Sequence, residues 1–154
     1  LPDGFAFEAF LPMDKKERKE VLEELVNETR TIILYEAPHK LVRTLRDLRE
    51  TLGNRRMTLC RELTKKHETA FHSTIDDLIA HYEKEKPLGE CVLVIEGKSR
   101  QELKEEAVAS WEEISIEEHM EIYEKKGMSR KDAMKQVAKD RGVSKRDIYS
   151  YLMK

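Results

Sequence analysis

TIILYEAPHK, residues 31–40, joins an apolar β-branched run to a carboxylate, a proline and a histidine. Thr31 to Tyr35 reads as a buried strand, because isoleucine, threonine and tyrosine suit a pleated surface. Pro38 lacks an amide hydrogen and fixes its own φ, so the strand ends before it. Leu41, Val42, Leu45, Leu48 and Leu52 follow at helical spacing, and Gly53 is placed to end that helix. A strand that stops at polar residues and passes directly into a helix is the repeating unit of α/β proteins. In parallel α/β sheets, ligands sit beyond the carboxyl ends of such strands.

The same pattern extends to both sides. FAFEAFLP (5–12) alternates Phe5, Phe7 and Ala9 with other residues and ends as a short strand at Pro12. Asp14, with Glu17 three positions on, forms a capping-box arrangement before the stripe Val21, Leu22, Leu25 and Val26. MTLCREL (57–63) and ETAFHS (68–73) read as two strands joined closely enough for a hairpin. Thr74 caps a helix carrying Ile75, Leu78, Ile79 and Tyr82; Pro87 and Gly89 break it, and CVLVIEG (91–97) is a fully apolar last strand. The order β-α-β-α-β-β-α-β predicts an α/β fold, a mixed β-sheet flanked by helices.

The character changes after Gly97, and the domain boundary is placed near residue 100, giving an α/β domain over 1–100 and a helical extension over 101–154. From Glu102 to Glu124 there are nine glutamates against Lys104, whereas from Lys125 onward ten Lys/Arg face only Asp132, Asp140 and Asp147. Helices are predicted over 115–126, 130–140 and 145–153, with Gly127 ending the first and Ser129 and Ser144 capping the others. SRKDAMKQVAKDRGVSKRDIYSYLMK (129–154) is similar to a helix-turn-helix, a small all-α tail with a tight turn at Gly142. Arg130 and Lys131 open one helix and Lys145 and Arg146 the next, a basic surface suited to nucleic acid. The plainer reading is an appendage whose lysines keep it soluble.

The 154 residues are 39% charged with net charge −2, so the molecule as a whole exerts no pull on nucleic acid. Cys60 and Cys91 lie in separate strands without CxxC spacing, which argues against zinc or thioredoxin chemistry and fits a reducing, cytoplasmic setting. No apolar run approaches a membrane span. None of His39, His67, His72, His81 and His119 pairs at HxxxH or HExxH spacing, so no metal site is expected. GxGxxG, Walker and GxSxG motifs are missing from the sequence. Polar residues close three apolar runs, at Tyr35-Glu36, Arg61-Glu62 and Glu96-Gly97. In YEAPHK, the amides of Glu36, Ala37 and His39 are expected to turn inward and hold a small polar ligand. In RELTKKHE (61–68), Arg61, Lys65, Lys66 and His67 form either a phosphate-contacting patch or a solvated turn neutralised by Glu62 and Glu68.

FAFEAFLPMDKKERKEVLEEL, TIILYEAPHKLVRTLRDL, RRMTLCRELTKKHETAFHSTIDDL and GECVLVIEG, in that order, resemble the second half of the ribosomal RNA small subunit methyltransferase I family, within the tetrapyrrole methylase superfamily. The resemblance covers roughly residues 1–97 and touches the basic tail; YEAPHK combined with RELTK is its most specific part. It implies the C-terminal domain of the tetrapyrrole methylase fold and methyl transfer from S-adenosylmethionine to a cytidine ribose 2′-oxygen in 16S rRNA. It also implies that Tyr35, Glu36, Ala37, Pro38 and His39 border the cofactor. Arg61, Glu62, Leu63, Thr64 and Lys65 then line the cleft or face RNA, with Thr64 on the cofactor side and Arg61, Lys65 and Lys66 on the RNA side. The strand Glu90 to Gly97 supplies a second wall. Glu36 and Glu62 are the candidates for a general base. Ser73-Thr74-Ile75 departs from a Gly-Thr-Leu common in the family. The expected partners are 16S rRNA or the small ribosomal subunit and a second copy in a homodimer, without a membrane. The chain begins LPDGFAF, without a methionine and without the family's Gly/Pro/Asp-rich cofactor loop, so it is expected to be inactive by itself. The alternatives are tetrapyrrole methylation, a DNA-binding regulator using the tail, and an oligomerisation module.

Overall fold

The computed structural model describes residues 4–61 and 69–154. The chain divides into two compact units, Leu1–Ser99 and Arg100–Lys154. In the first, β1 (Phe5–Phe10), α1 (Lys15–Leu25), β2 (Thr31–Glu36), α2 (Leu41–Leu52), β3 (Arg56–Arg61), β4 (Thr69–Thr74), α3 (Ile75–Lys84) and β5 (Cys91–Ile95) follow the predicted order. A single 3-10 turn, Pro38–Lys40, links β2 to α2. The sheet order is β1-β2-β5-β3-β4. β1 and β2 run parallel, while β5 is antiparallel to both of its neighbours and β4 is antiparallel to β3. The sheet is therefore mixed, as the element order predicts.

Helices α1, α2 and α3 cover one face. Ile32, Leu34, Leu59, Leu93 and Ile95 from the strands meet Leu22, Leu25, Leu41, Leu45, Leu48, Ile75 and Leu78 from the helices in a single core. Each fully buried aliphatic side chain contributes about 1.5–3 kcal/mol relative to exposure, which makes this contact the main support of the unit. Asp14 caps α1 by accepting from the amides of Lys16 and Glu17, and Thr74 caps α3 by accepting from Asp77. Close approach explains Gly97: a Cβ there would stand 2.3 Å from the Thr29 carbonyl oxygen.

The phenylalanines of β1 take the opposite face. Ala6 points into the core, while Phe5, Phe7 and Phe10 stand on the outer side. The register of β1 slips between Phe7 and Ala9, and Ala9 adopts a left-handed φ of 54°. This bulge resets the alternation. Phe7 and Phe10 consequently both meet Tyr35 edge-on, at 5.4 and 5.7 Å between ring centres.

The second unit holds α4 (Arg100–Ser110), α5 (Ile116–Lys125), α6 (Arg130–Arg141) and α7 (Lys145–Leu152), with a 3-10 turn Trp111–Glu113 after α4. Helix α4 was not expected. It buries no residue and so carries no apolar stripe to read; its Glu, Lys, Leu and Ala content favours a helix on propensity alone. Ala133, Val137, Ala138, Ile148 and Met120 form the unit's core. Gly142 ends α6 in the left-handed conformation at φ 66°.

A polar cluster lies inside this helical core. The His119 ring stacks on Trp111 at 3.9 Å, its Nδ1 accepts from Arg141 Nε at 3.0 Å, and its Nε2 donates to Asp140 Oδ2 at 2.9 Å. Asp140 also accepts from the Tyr123 hydroxyl and from Gln136. Burial lowers the His119 pKa and the facing Arg141 charge adds to it, against the opposing pull of Asp140, so the imidazole is neutral in the folded unit. Burial works to raise the Asp140 carboxyl, but the bonds from Tyr123, His119 and Gln136 outweigh it and hold it below its ordinary range. Burial and the Asp140 bond push the Tyr123 phenol up to about 12.

The sign of the pH dependence follows from His119. The unfolded imidazole takes up a proton near pH 6.5, before the folded one does, so stability present above that pH is lost as pH falls through it. Asp140 acts in the same direction at lower pH. The urea midpoint reported by the fluorescence of Trp111 is expected to decline between about pH 7 and 5. In His119→Gln, which keeps a donor and an acceptor without titrating, the decline over that interval should flatten. A wild-type midpoint that rose on acidification would contradict the neutral assignment.

Candidate functional site

Alternation along β2 puts Ile32, Leu34 and Glu36 on the helix-covered face. The last place in this row is a carboxylate only 5% exposed. A buried carboxylate costs several kcal/mol unless its oxygens are hydrogen-bonded. Glu36 Oε2 accepts from Thr44 Oγ1 at 2.6 Å, and Oε1 accepts from the Ala37 amide at 2.8 Å. The Thr44 hydroxyl accepts in turn from Arg18 Nη2 at 2.8 Å. Arg18 also donates through Nε and Nη2 to Asp47 Oδ2, at 3.0 and 2.9 Å. The network ties the end of β2 to α1 and α2.

Across the sheet, Glu36 pairs with Cys91, and Cys91 pairs with Arg61. Burial pushes the Cys91 thiol up to about 11, with Arg61 working against it. The Arg61 guanidinium carbon lies 5.8 Å from the centre of the Tyr82 ring. The carboxyl ends of β2 and β3 therefore meet at one edge. The third strand end read from sequence, Glu96-Gly97, lies at the other edge, because β5 runs antiparallel to both. At the shared edge the second wall comes from the start of β5, Cys91, and not from its end.

The side chains of YEAPHK go three ways. Tyr35 stands on the open sheet face against Phe7 and Phe10. Glu36 points into a cleft of about 240 Å³ whose lining includes Phe10, Leu11, Pro12, Met13, Arg18, Lys40, Arg43 and Thr44. Pro38 and His39 line a separate cleft of about 460 Å³ with Val42 and the segment Tyr82 to Pro87. The Ala37 amide, expected to face a ligand, is used by the carboxylate of Glu36. The Lys40 amide donates to the Ala37 carbonyl at 3.1 Å. Lys40 and Arg43 take no ion pair among the described residues.

Glu62, Thr64, Lys65, Lys66 and His67 lie outside the described residues. Arg130 begins α6 and pairs with Glu124 at 3.3 Å, with Lys131 next to it. Lys145 and Arg146 are the first two residues of α7. Among the described residues, no cluster of three or more His, Cys, Asp or Glu is arranged to hold a metal ion. No described helix is long and apolar enough to cross a membrane.

Sequence reasoning missed Arg18, Lys40, Arg43 and Thr44. Thr44 carried a readable signal: it occupies a buried position between Leu41 and Leu45 in the inward stripe of α2. A hydroxyl in that stripe needs a buried partner. Arg18, Lys40 and Arg43 sit in charged sequence and show nothing comparable.

A parallel β1–β2 pair joined through a helix, within a mixed sheet with a cleft at the carboxyl edge of β2, defines an α/β protein. The profile of the Tetrapyrrole (Corrin/Porphyrin) Methylases matches residues 1–79, and the chain belongs to that family. Within it, the chain is similar to ribosomal RNA small subunit methyltransferase I of Bacillus subtilis, 43% identical over 149 residues that cover 97% of this chain and 51% of that protein. The protein of the same name from Halalkalibacterium halodurans is 43% identical over 149 residues, covering 96% and 50%. That from Synechocystis is 38% identical over 148 residues, covering 96% and 51%. The chain spans about half the length of these relatives.

Removing the Thr44 hydroxyl tests the network. Thr44→Val keeps the shape but leaves Glu36 Oε2 without its donor, and is expected to cost about 1–3 kcal/mol. Urea unfolding followed by circular dichroism measures it. Thr44→Ser should retain most of the stability, and a Val variant as stable as wild type would show the network to be dispensable.

Proposed function

We propose that this chain is the C-terminal part of an S-adenosylmethionine-dependent methyltransferase acting on a cytidine ribose 2′-hydroxyl of 16S rRNA. It acts in the cytoplasm as a homodimer, with 16S rRNA or the small ribosomal subunit as substrate. The observation that carries this reading is the cleft at the carboxyl edge of β2, in a chain 43% identical to a protein named as a ribosomal RNA methyltransferase. One side of the cleft is apolar, from Phe10 to Met13, and the other presents Lys40 and Arg43. That combination fits an amphipathic ligand with a carboxylate, which S-adenosylmethionine is.

When bound, S-adenosylmethionine supplies a methyl group on a sulfonium, so positioning the hydroxyl accounts for most of the catalysis. In this proposal, the chain's residues take the following roles. Phe10, Leu11, Pro12 and Met13 cover an apolar ring and exclude water. Lys40 and Arg43 hold the carboxylate. Pro38 keeps the turn between Tyr35 and His39 rigid beside the cofactor, and Thr64 is assigned to the cofactor by the family resemblance. Glu36, already accepting from Thr44 and Ala37, is a positioning residue, and Glu62 is the candidate base. Arg61, Lys65 and Lys66 are assigned to RNA binding, and so, in the helical unit, are Arg130, Lys131, Lys145 and Arg146. The chain spans about half the length of its relatives, so the 154 residues alone are expected to show background turnover.

A tetrapyrrole substrate is the second reading, favoured by the family to which the chain belongs. The ten Lys/Arg from residue 125 onward support RNA instead, since a small macrocycle needs no long basic surface. The deciding experiment gives the full-length protein labelled S-adenosylmethionine with small ribosomal subunits or with a tetrapyrrole. The expected label is on a ribose 2′-oxygen, seen as a dinucleotide resistant to alkaline hydrolysis. Labelling of the tetrapyrrole alone would overturn the RNA reading. In the same protein, Arg43→Ala should weaken S-adenosylmethionine binding by about 10- to 100-fold, the worth of a charge-assisted hydrogen bond, with RNA affinity unchanged in a filter assay.

A further inference from the structure

Helix α7 carries more than charge. A capping box fixes its start: the Ser144 amide donates to Asp147 Oδ2 and the Asp147 amide donates to Ser144 Oγ, both at 3.1 Å. Ile148 is buried and Leu152 half-buried against the helical core, which sets the rotation of the helix. Residues three and four apart share a helix face. Lys145, Arg146, Tyr149 and Met153 therefore lie along one flank. Tyr149 is 53% exposed and Met153 67% exposed. Tyr149 makes no ring contact or side-chain hydrogen bond among the described residues, and Lys145 and Arg146 take no ion pair there.

The carboxylates nearby are already committed. Hydrogen bonds from Ser144 hold the Asp147 carboxyl below its ordinary range, and Asp140 is enclosed by His119, Tyr123 and Gln136. The flank thus offers two cations beside a bare aromatic ring. A-form RNA duplexes present phosphates and 2′-hydroxyls, but their major groove is too deep and narrow for side chains to read. An aromatic ring finds a partner only on a base that has left the stack.

We infer that α7 binds single-stranded RNA, with an unpaired base stacked on Tyr149 and the adjoining phosphates held by Lys145 and Arg146. This rests on the proposed rRNA substrate and narrows it: the segment gripped by the helical unit is a loop or an opened strand. Met153 extends the apolar platform beyond the ring.

The test is fluorescence anisotropy with the full 154-residue chain. The probes are a short labelled single-stranded RNA and the same sequence as a blunt duplex, each across a salt series. The single strand is expected to bind more tightly. Tyr149→Ala should weaken it by about tenfold, the usual worth of one stacked base, with the salt slope unchanged. Tyr149→Phe should bind like wild type. Lys145→Ala should reduce the logarithmic salt slope by about 0.7, the value for one phosphate contact on a single strand. Each variant is checked for an unchanged far-ultraviolet spectrum. Equal or tighter duplex binding, or a Tyr149→Ala variant equal to wild type, overturns the inference and leaves RNA as the substrate. Absence of binding to either RNA overturns this inference, and the methyl-transfer assay on the full-length protein then judges the substrate separately.

Discussion

A carboxylate in the core row of β2 constrains everything around it. An aliphatic side chain at residue 36 would complete the row with no polar cost, and such replacements of buried charge are often neutral or stabilising. Glu36 instead requires donors, and it finds them in the Ala37 amide and the Thr44 hydroxyl. Thr44 meets it only if α2 is rotated to carry that hydroxyl inward. Arg18 then completes the hydroxyl and, through Asp47, holds α1 against α2. One buried charge so fixes two helices relative to the end of a strand. The cleft with Lys40 and Arg43 opens beside that point.

The second constraint is direction. β4 runs antiparallel to β3, so the crossover through α3 leaves from the far edge of the sheet. It therefore delivers β5 in the reverse sense, between β2 and β3. This placement brings the start of β5 beside Glu36 and Arg61. The three residues Glu36, Cys91 and Arg61 lie in one row across the sheet, although they are far apart in sequence. Charge enters this row from two sides while the thiol between them stays protonated because of its burial.

The helical unit repeats the same logic with different groups. His119 is held without charge by its burial and by Arg141, which donates to one ring nitrogen, while Asp140 accepts from the other and pulls the opposite way. The cluster uses Asp140 internally, and a capping box uses Asp147. With Asp140 engaged in the core and Asp147 in the cap of α7, the lysines and arginines of α6 and α7 outnumber the acids on those helices. The dipolar sequence, acidic to residue 124 and basic after it, becomes a surface property because ten Lys/Arg there face only three aspartates, of which Asp140 is engaged in the buried cluster and Asp147 in a helix cap.

Much of the first unit was legible in the sequence. Periodicity located β2, α2, α3 and β5, since a strand buries every second residue and a helix every third or fourth whatever surrounds them. Caps at Asp14, Thr74, Ser129 and Ser144 were equally local, because a capping side chain bonds its own chain two or three residues on. Helix α4 was invisible because nothing on it is buried. YEAPHK was correctly singled out as a strand end, yet its residues serve a sheet face, a buried network and two different clefts. Which neighbour each side chain meets depends on residues 7, 10, 18, 44 and 82, brought near only by pairing and packing. The sequence alone determined every strand and helix but α4, the caps and the charge asymmetry, which are short-range properties. Tertiary structure alone decided the direction of β5, the partners of Glu36 and His119, and the bare flank of α7, because each depends on contacts between segments distant along the chain.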